Sequence, residues 1–179
     1  MNEKIEIRSG NEEGYTAKQA MKQVVEHMKA KKDHVITVVT LEEKRWDSES
    51  ILFVKMFLRF LHKNRGRVLL LAENAGKVSR LEEHIAESNT QIQVVETMNL
   101  EEHGVSADMI LNQINGAEAE CIIASLPEEV EADFLEKYRT ALDAKVWFSV
   151  GTHLEKKAKA SKMRNLWTSI TERFYRKEK

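Results

Sequence analysis

The stretch RVLLLAENAGKVSRLEEHI, Arg67–Ile85, decides the fold class. Its first six residues form a nearly continuous apolar run, which is the pattern of a parallel strand buried on both faces. A short polar turn follows, and then apolar residues recur at helical spacing. Five other runs repeat the strand pattern: Lys4–Arg8, HVITVVT at His34–Thr40, IQVV at Ile92–Val95, ECIIAS at Glu120–Ser125 and KVWFSV at Lys145–Val150.

Helical periodicity fills the intervals. Thr16–Ala30 groups Ala20, Val24 and Met28 on one face with Ala17, Met21 and Val25 beside them, and Thr16 with Gln19 has the spacing of a capping box. A second helix, capped by Ser48 or Ser50, is predicted to run to Lys63 on an apolar set of Ile51, Val54, Phe57, Leu58 and Leu61, and to stop at Asn64-Arg65-Gly66. Further helices are predicted over Lys77–Glu87, Ser106–Ile114 and Glu128–Leu142, with Asn115-Gly116 as a turn and Pro127 at the first position of the last helix. Strand and helix alternating with short joints predict right-handed crossovers. The expected architecture is one α/β domain, Rossmann-like and three-layered, with a mostly parallel sheet, over residues 1–154. A basic helical appendage is expected over 155–179.

Composition narrows the function classes. The chain has 179 residues, 28 Lys or Arg, 29 Asp or Glu and a net charge of −1, a balance that argues against a dedicated nucleic-acid binder. A single cysteine excludes an intramolecular disulfide framework. The opening residues MNEKIEIRSG have no signal-peptide apolar core, and no run is long enough to span a membrane, so a cytoplasmic protein is expected. The charge is nevertheless uneven: Glu155–Lys179 holds nine Lys or Arg against three Asp or Glu, leaving −7 on the remainder. In that segment Met163, Leu166, Trp167, Ile170, Phe174 and Tyr175 lie near one helical face, with Lys162, Arg164, Arg173, Arg176 and Lys177 around them. Such a helix can dock on protein, including another subunit, lie on an anionic membrane, or hold a diphosphate through arginine forks.

In an open parallel sheet, ligands sit beyond the carboxyl ends of the strands. At Ala72–Lys77, Gly76 permits tight turning, the first helical amides can hold an anion and Lys77 adds a charge. An ordinary strand-to-helix loop has the same composition. At Ser125–Glu131, Glu128 and Glu129 favour a helix N-terminus, and either could also bind a sugar hydroxyl or act as a base. His153, after Val150-Gly151-Thr152, is a phosphate donor, a base or a surface histidine. Trp46 marks a polar lip whose nearest carboxylate is Asp47, and Cys121 reads as a small buried hydrophobe. No dinucleotide fingerprint, phosphate loop, nucleophile elbow or metal cluster is present in the sequence, so neither cofactor nor metal is expected.

The order of RVLLLAENAGKVSRLEEHI, IQVVET, MILNQINGAEAECIIASLPEE and YRTALDAKVWFSVG resembles the central and late blocks of the WecG/TagA/CpsF family of bacterial glycosyltransferases. The resemblance covers about three quarters of the chain and is best from Ser50 to Val150. It implies transfer of an N-acetylmannosamine-type sugar from a UDP donor to a polyprenyl-diphosphate-linked acceptor, in cell-surface polymer synthesis at the inner membrane face. Glu73, Asn74, Ala75 and Gly76 correspond to the family's glycine-rich turn, and Ile114-Asn115 to the end of its long helix. Asn74, Gly76, Lys77, Pro127, Gly151, His153, Arg173 and Arg176 are then the ligand-binding candidates, Asp47 and Glu128 the catalytic ones, and Trp167, Phe174 and Tyr175 the membrane or partner contacts.

The departures are specific. The family's Gly-x-Pro-Lys-Gln-Glu reads Ser125-Leu126-Pro127-Glu128-Glu129-Val130, keeping only the proline. The segment with its catalytic aspartate is missing between VTLEEKRWDSES and Ile51, and a lysine-rich stretch replaces the features after Val150-Gly151. These losses imply the alternative, a non-catalytic homologue that binds a protein partner, a ligand or a membrane surface.

Overall fold

The computed structural model describes residues 4–7, 14–29, 36–41, 48–87, 91–101 and 106–150. In chain order these form β1 (Lys4–Ile7), α1 (Ala17–Lys29), β2 (Thr37–Leu41), α2 (Ser48–Lys63), β3 (Arg67–Ala72), α3 (Ala75–Glu87), β4 (Gln93–Asn99), α4 (Ala107–Gly116), β5 (Cys121–Ser125), α5 (Glu128–Tyr138) and β6 (Val146–Ser149). All strand pairs are parallel, and the sheet order is β1-β2-β6-β5-β3-β4. The sheet is therefore wholly rather than mostly parallel.

The order explains the layers. From β1 to β4 each connection steps in one direction across the sheet, and after β4 the chain steps back. With right-handed crossovers, that reversal must move the connecting helices to the opposite face. Accordingly α1, α2 and α3 share one apolar cluster with Val39, Leu70, Ile123 and Phe148, while α4 and α5 share another with Val38, Leu69, Ile122 and Trp147. Adjacent residues of one strand serve opposite clusters, the period-two consequence of the pleat. The central strands β5 and β6 are buried along their whole length, which is why their sequences are continuous apolar runs rather than alternating ones.

Local signals account for several boundaries. The Thr16/Gln19 capping box forms: the Thr16 N–H donates to Gln19 Oε1 at 3.0 Å and the Gln19 N–H to Thr16 Oγ1 at 3.3 Å. Glu49 adds a cap from α2, its Oε2 accepting the Ala17 N–H at 2.6 Å. At the end of α2, Arg65 takes a left-handed φ of 50° and the Gly66 N–H donates back to Leu61 O at 2.8 Å. A side chain at Gly66 would put its Cβ 2.7 Å from Leu61 Cδ2, so the glycine there answers to close approach.

Other boundaries differ from the sequence reading. Ser50 lies buried inside α2 and so does not cap it, while Ser48 is the first residue of the helix. Phe53 takes an inner position and Ile51 is only half-buried. The helix α4 runs through Asn115-Gly116, and the left-handed turn residue is Glu118, φ 53°. The predicted Glu128–Leu142 helix stops at Tyr138 because Asn115 holds the following loop: its Nδ2 donates to Ala141 O and its Oδ1 accepts the Asp143 N–H, both at 2.8 Å. Asn115→Ala should therefore lower stability by about 1–2 kcal/mol, two exposed hydrogen bonds' worth, with Asn115→Asp between it and wild type in urea unfolding. Equal midpoints for Asn115→Ala and wild type would remove that role.

Candidate functional site

The carboxyl ends of β3, β5 and β6 align at the middle of the sheet: Ala72 pairs with Ser125, and Ala124 with Ser149. The Glu73 N–H donates to Ser125 O at 3.3 Å, so the loop after β3 is tied to the last residue of β5. From these neighbouring strands the chain departs in opposite directions, into α3 in one layer and α5 in the other. That divergence is the topological switch point of an open parallel sheet, the position where ligands of such folds sit.

Each predicted residue at this edge has a defined place. Asn74 is the N-cap of α3, its Oδ1 accepting the Lys77 N–H at 3.0 Å and its carbonyl the Val78 N–H at 3.1 Å. This cap starts the helix at Ala75, two residues before the predicted start. Gly76 consequently lies within the first turn of α3, without a left-handed φ, and an added Cβ would meet only Asn74 Oδ1 at 3.4 Å. The tight turn expected of Gly76 is not required. Lys77 is 7% exposed and ion-paired with Glu73 through Glu73 Oε2.

Pro127 is the N-cap of α5 rather than its first residue, with φ −57° and ψ 142°, and its carbonyl accepts the Glu131 N–H at 2.9 Å. Proline locks φ there, and Glu128 opens the helix with its side chain exposed. The N-termini of α3 and α5 thus stand at the ends of adjacent strands, carrying Lys77 and Glu128 respectively. Asp47, Gly151, His153, Trp167, Arg173, Phe174, Tyr175 and Arg176 lie outside the described residues, as does the predicted domain boundary at 154/155.

Two polar groups at this edge were given no individual role by the sequence reading. Glu131 is buried, and Ser149 Oγ donates to its Oε2 at 2.9 Å, joining the first turns of α5 to the end of β6. The signal was available: Glu131, Phe134 and Tyr138 fall at i, i+3 and i+7, which places a carboxylate in the apolar stripe of α5. Glu73 was read only as part of a turn, although Glu73 and Lys77 have the i,i+4 spacing of a helical ion pair.

Cys121 sits at the start of β5, fully buried; desolvation, followed by the nearby Glu120 charge, raises its pKa above the ordinary thiol value. A thiol so placed is packing rather than a nucleophile. Among the described residues no group of three or more His, Cys, Asp or Glu is arranged to hold a metal ion. No helix among them is long and apolar enough to cross a membrane. No protein-family model matches the chain, and no curated protein matches it.

Proposed function

We propose that the chain is a UDP-hexosamine transferase whose donor site lies at the β3/β5 switch point, and that it moves an N-acetylmannosamine-type sugar to a polyprenyl-diphosphate-linked acceptor in cell-surface polymer synthesis. The observation that carries this reading is the pair of helix N-termini, α3 and α5, at the ends of adjacent strands whose connections diverge. Helix N-termini offer backbone N–H groups and partial positive charge to a diphosphate. In the reaction the acceptor oxygen bonds to the anomeric carbon, the bond to the UDP oxygen breaks, and UDP leaves with the negative charge. Lys77 and the Asn74-capped start of α3 face the donor in this proposal, together with Gly151, His153 and the Gly76 and Pro127 backbone. Glu128, exposed at the opposite side of the switch point, takes the acceptor proton, or Asp47 does. Arg173 and Arg176 hold the diphosphate, while Trp167, Phe174 and Tyr175 face an anionic membrane from the cytoplasmic side.

A second reading is favoured by how these residues are already engaged. Lys77 is ion-paired with Glu73 and the Asn74 carboxamide is used as a cap. A switch point whose polar groups serve the fold suits a non-catalytic homologue that binds a protein partner, a ligand or a membrane surface. One experiment separates the two. UDP and UDP-N-acetylhexosamines should raise the unfolding temperature of the full chain, since at 100 times Kd a native-state ligand adds about 2.7 kcal/mol. Release of UDP with a lipid-linked acceptor should accompany the shift if the transferase reading holds. A shift without turnover selects the non-catalytic homologue, and no shift across the nucleotide-sugar panel ends the donor-site reading.

A further inference from the structure

Buried polar groups are unevenly spread through the fold. Among the described residues, Thr37, Ser50, Lys77, Ser125, Glu131 and Ser149 are the buried polar or charged ones. Four of these six stand at the carboxyl edge of the sheet: Ser125 ends β5, Ser149 ends β6, and Lys77 and Glu131 lie in the first turns of α3 and α5. Polar groups are costly to bury, and proteins carry that cost most often where a fold serves a ligand.

The two helix starts differ in charge. The first turn of α3 has no acidic residue and carries Lys77, whereas that of α5 carries Glu128, Glu129 and Glu131. Glu128 and Glu129 are exposed, but Glu131 is only 8% exposed, on the stripe it shares with Phe134 and Tyr138. Ser149 is on the same face of β6 as Trp147, so its hydroxyl turns into the layer of α5 and donates to Glu131 Oε2 at 2.9 Å. An apolar residue would join α5 to β6 with less desolvation, so packing does not explain the carboxylate. A carboxylate offers about four acceptor positions, and the Ser149 hydroxyl takes one of those on Glu131.

We infer that Glu131, oriented by Ser149, is the hydroxyl-binding group of the switch-point site and accepts from the hexosamine part of the donor. The inference rests on the donor-site reading above, and it gives the bound donor a direction. The diphosphate is repelled by the three carboxylates of α5 and lies against Lys77 and the start of α3. The neutral sugar extends toward α5, where its hydroxyls donate to a carboxylate that Ser149 already holds in place. Glu131 is thus a specificity-determining residue for the sugar and takes no part in holding the nucleotide.

Titration calorimetry of the full chain with UDP and with UDP-N-acetylmannosamine separates the two ends of the ligand. Wild type should bind the nucleotide sugar at least about tenfold more tightly than UDP, the worth of a hydrogen bond to a charged group. In Glu131→Gln one side-chain oxygen remains for two donors, so UDP affinity should hold while the preference for the nucleotide sugar falls to within about twofold. Ser149→Ala should lower the preference in the same direction, and it serves if Glu131→Gln does not fold. A preference that survives these substitutions overturns the inference. Loss of UDP and nucleotide-sugar affinity together, the mark of a purely structural tie, overturns it as well, and so does a wild type that binds both ligands equally. In those three cases the donor site itself stands. Absence of UDP binding by wild type ends the donor-site reading, and the assignment of Glu131 falls with it.

Discussion

Replacing Phe148 with alanine is expected to destabilise the protein by about 3–5 kcal/mol, the cost of truncating a fully buried phenylalanine. Phe148 lies edge-on to Phe57 at a centroid distance of 5.2 Å and tilted to Phe53 at 5.5 Å, and those two rings stack at 5.7 Å. The three rings join α2 to the middle of the sheet. Since β6 is hydrogen-bonded to β2 on one side and β5 on the other, its backbone cannot move into the space vacated. The cavity should stay largely open, which is the condition for the upper part of that range. Phe148→Leu, which keeps most of the volume, should cost much less. Urea unfolding with an unchanged m-value is the measurement. A loss under about 1 kcal/mol for the alanine variant would show that α2 packs on the sheet differently.

The second large effect concerns Glu73 and Lys77. The lysine side chain is 8% exposed and its partner 33% exposed, so one charge is deep and the other reaches solvent. Removing the partner of a buried charge is strongly destabilising; with a partly solvated partner, Glu73→Ala should cost about 2–3 kcal/mol. Lys77→Met, which preserves the packed stem without the charge, should cost less. In the double variant the loss of Glu73 should matter little, giving a coupling energy of about 1–2 kcal/mol in the cycle. A coupling near zero would mean that the pair contributes nothing. The same variants report on ligand binding. Under the transferase reading, Glu73→Gln removes one negative charge beside the Lys77 ammonium, and UDP should bind more tightly than to wild type. Under the non-catalytic reading without a nucleotide, UDP affinity is absent in both proteins.

The alternation of strands and helices was readable because each rests on local periodicity: Arg67–Ala72 as a continuous apolar run, and Ala17, Ala20, Met21, Val24 and Met28 as one buried helical face. The Thr16/Gln19 cap was equally local. What could not be read was set by distant partners. The end of α5 depends on an asparagine in α4, and the length of β4 depends on its ladder with β3, which carries it through Glu96–Asn99 where the sequence alone gives no apolar alternation. At the candidate site, the start of α5 at Pro127 and Glu128 was visible within one residue, since proline fixes its own φ. Gly76 was misread because Asn74, not the glycine, sets the turn. The place of Glu131 on the apolar stripe of α5 was local and legible, whereas its partner, Ser149, comes from another strand.

The sheet order also has a temporal meaning. Residues 4–41 supply β1 and β2, residues 67–125 supply β3, β4 and β5, and these two groups of strands meet only through β6. The strand that joins them is the last of the described chain, Val146–Ser149. During synthesis from the N-terminus the growing polypeptide therefore holds two open β borders, at β2 and at β5, until β6 has been made. Neither border carries a charged residue within its strand. The nascent chain is thus exposed to wrong pairing until residues 146–149 have been made, and a premature stop before residue 146 should leave a sticky fragment rather than a smaller folded unit.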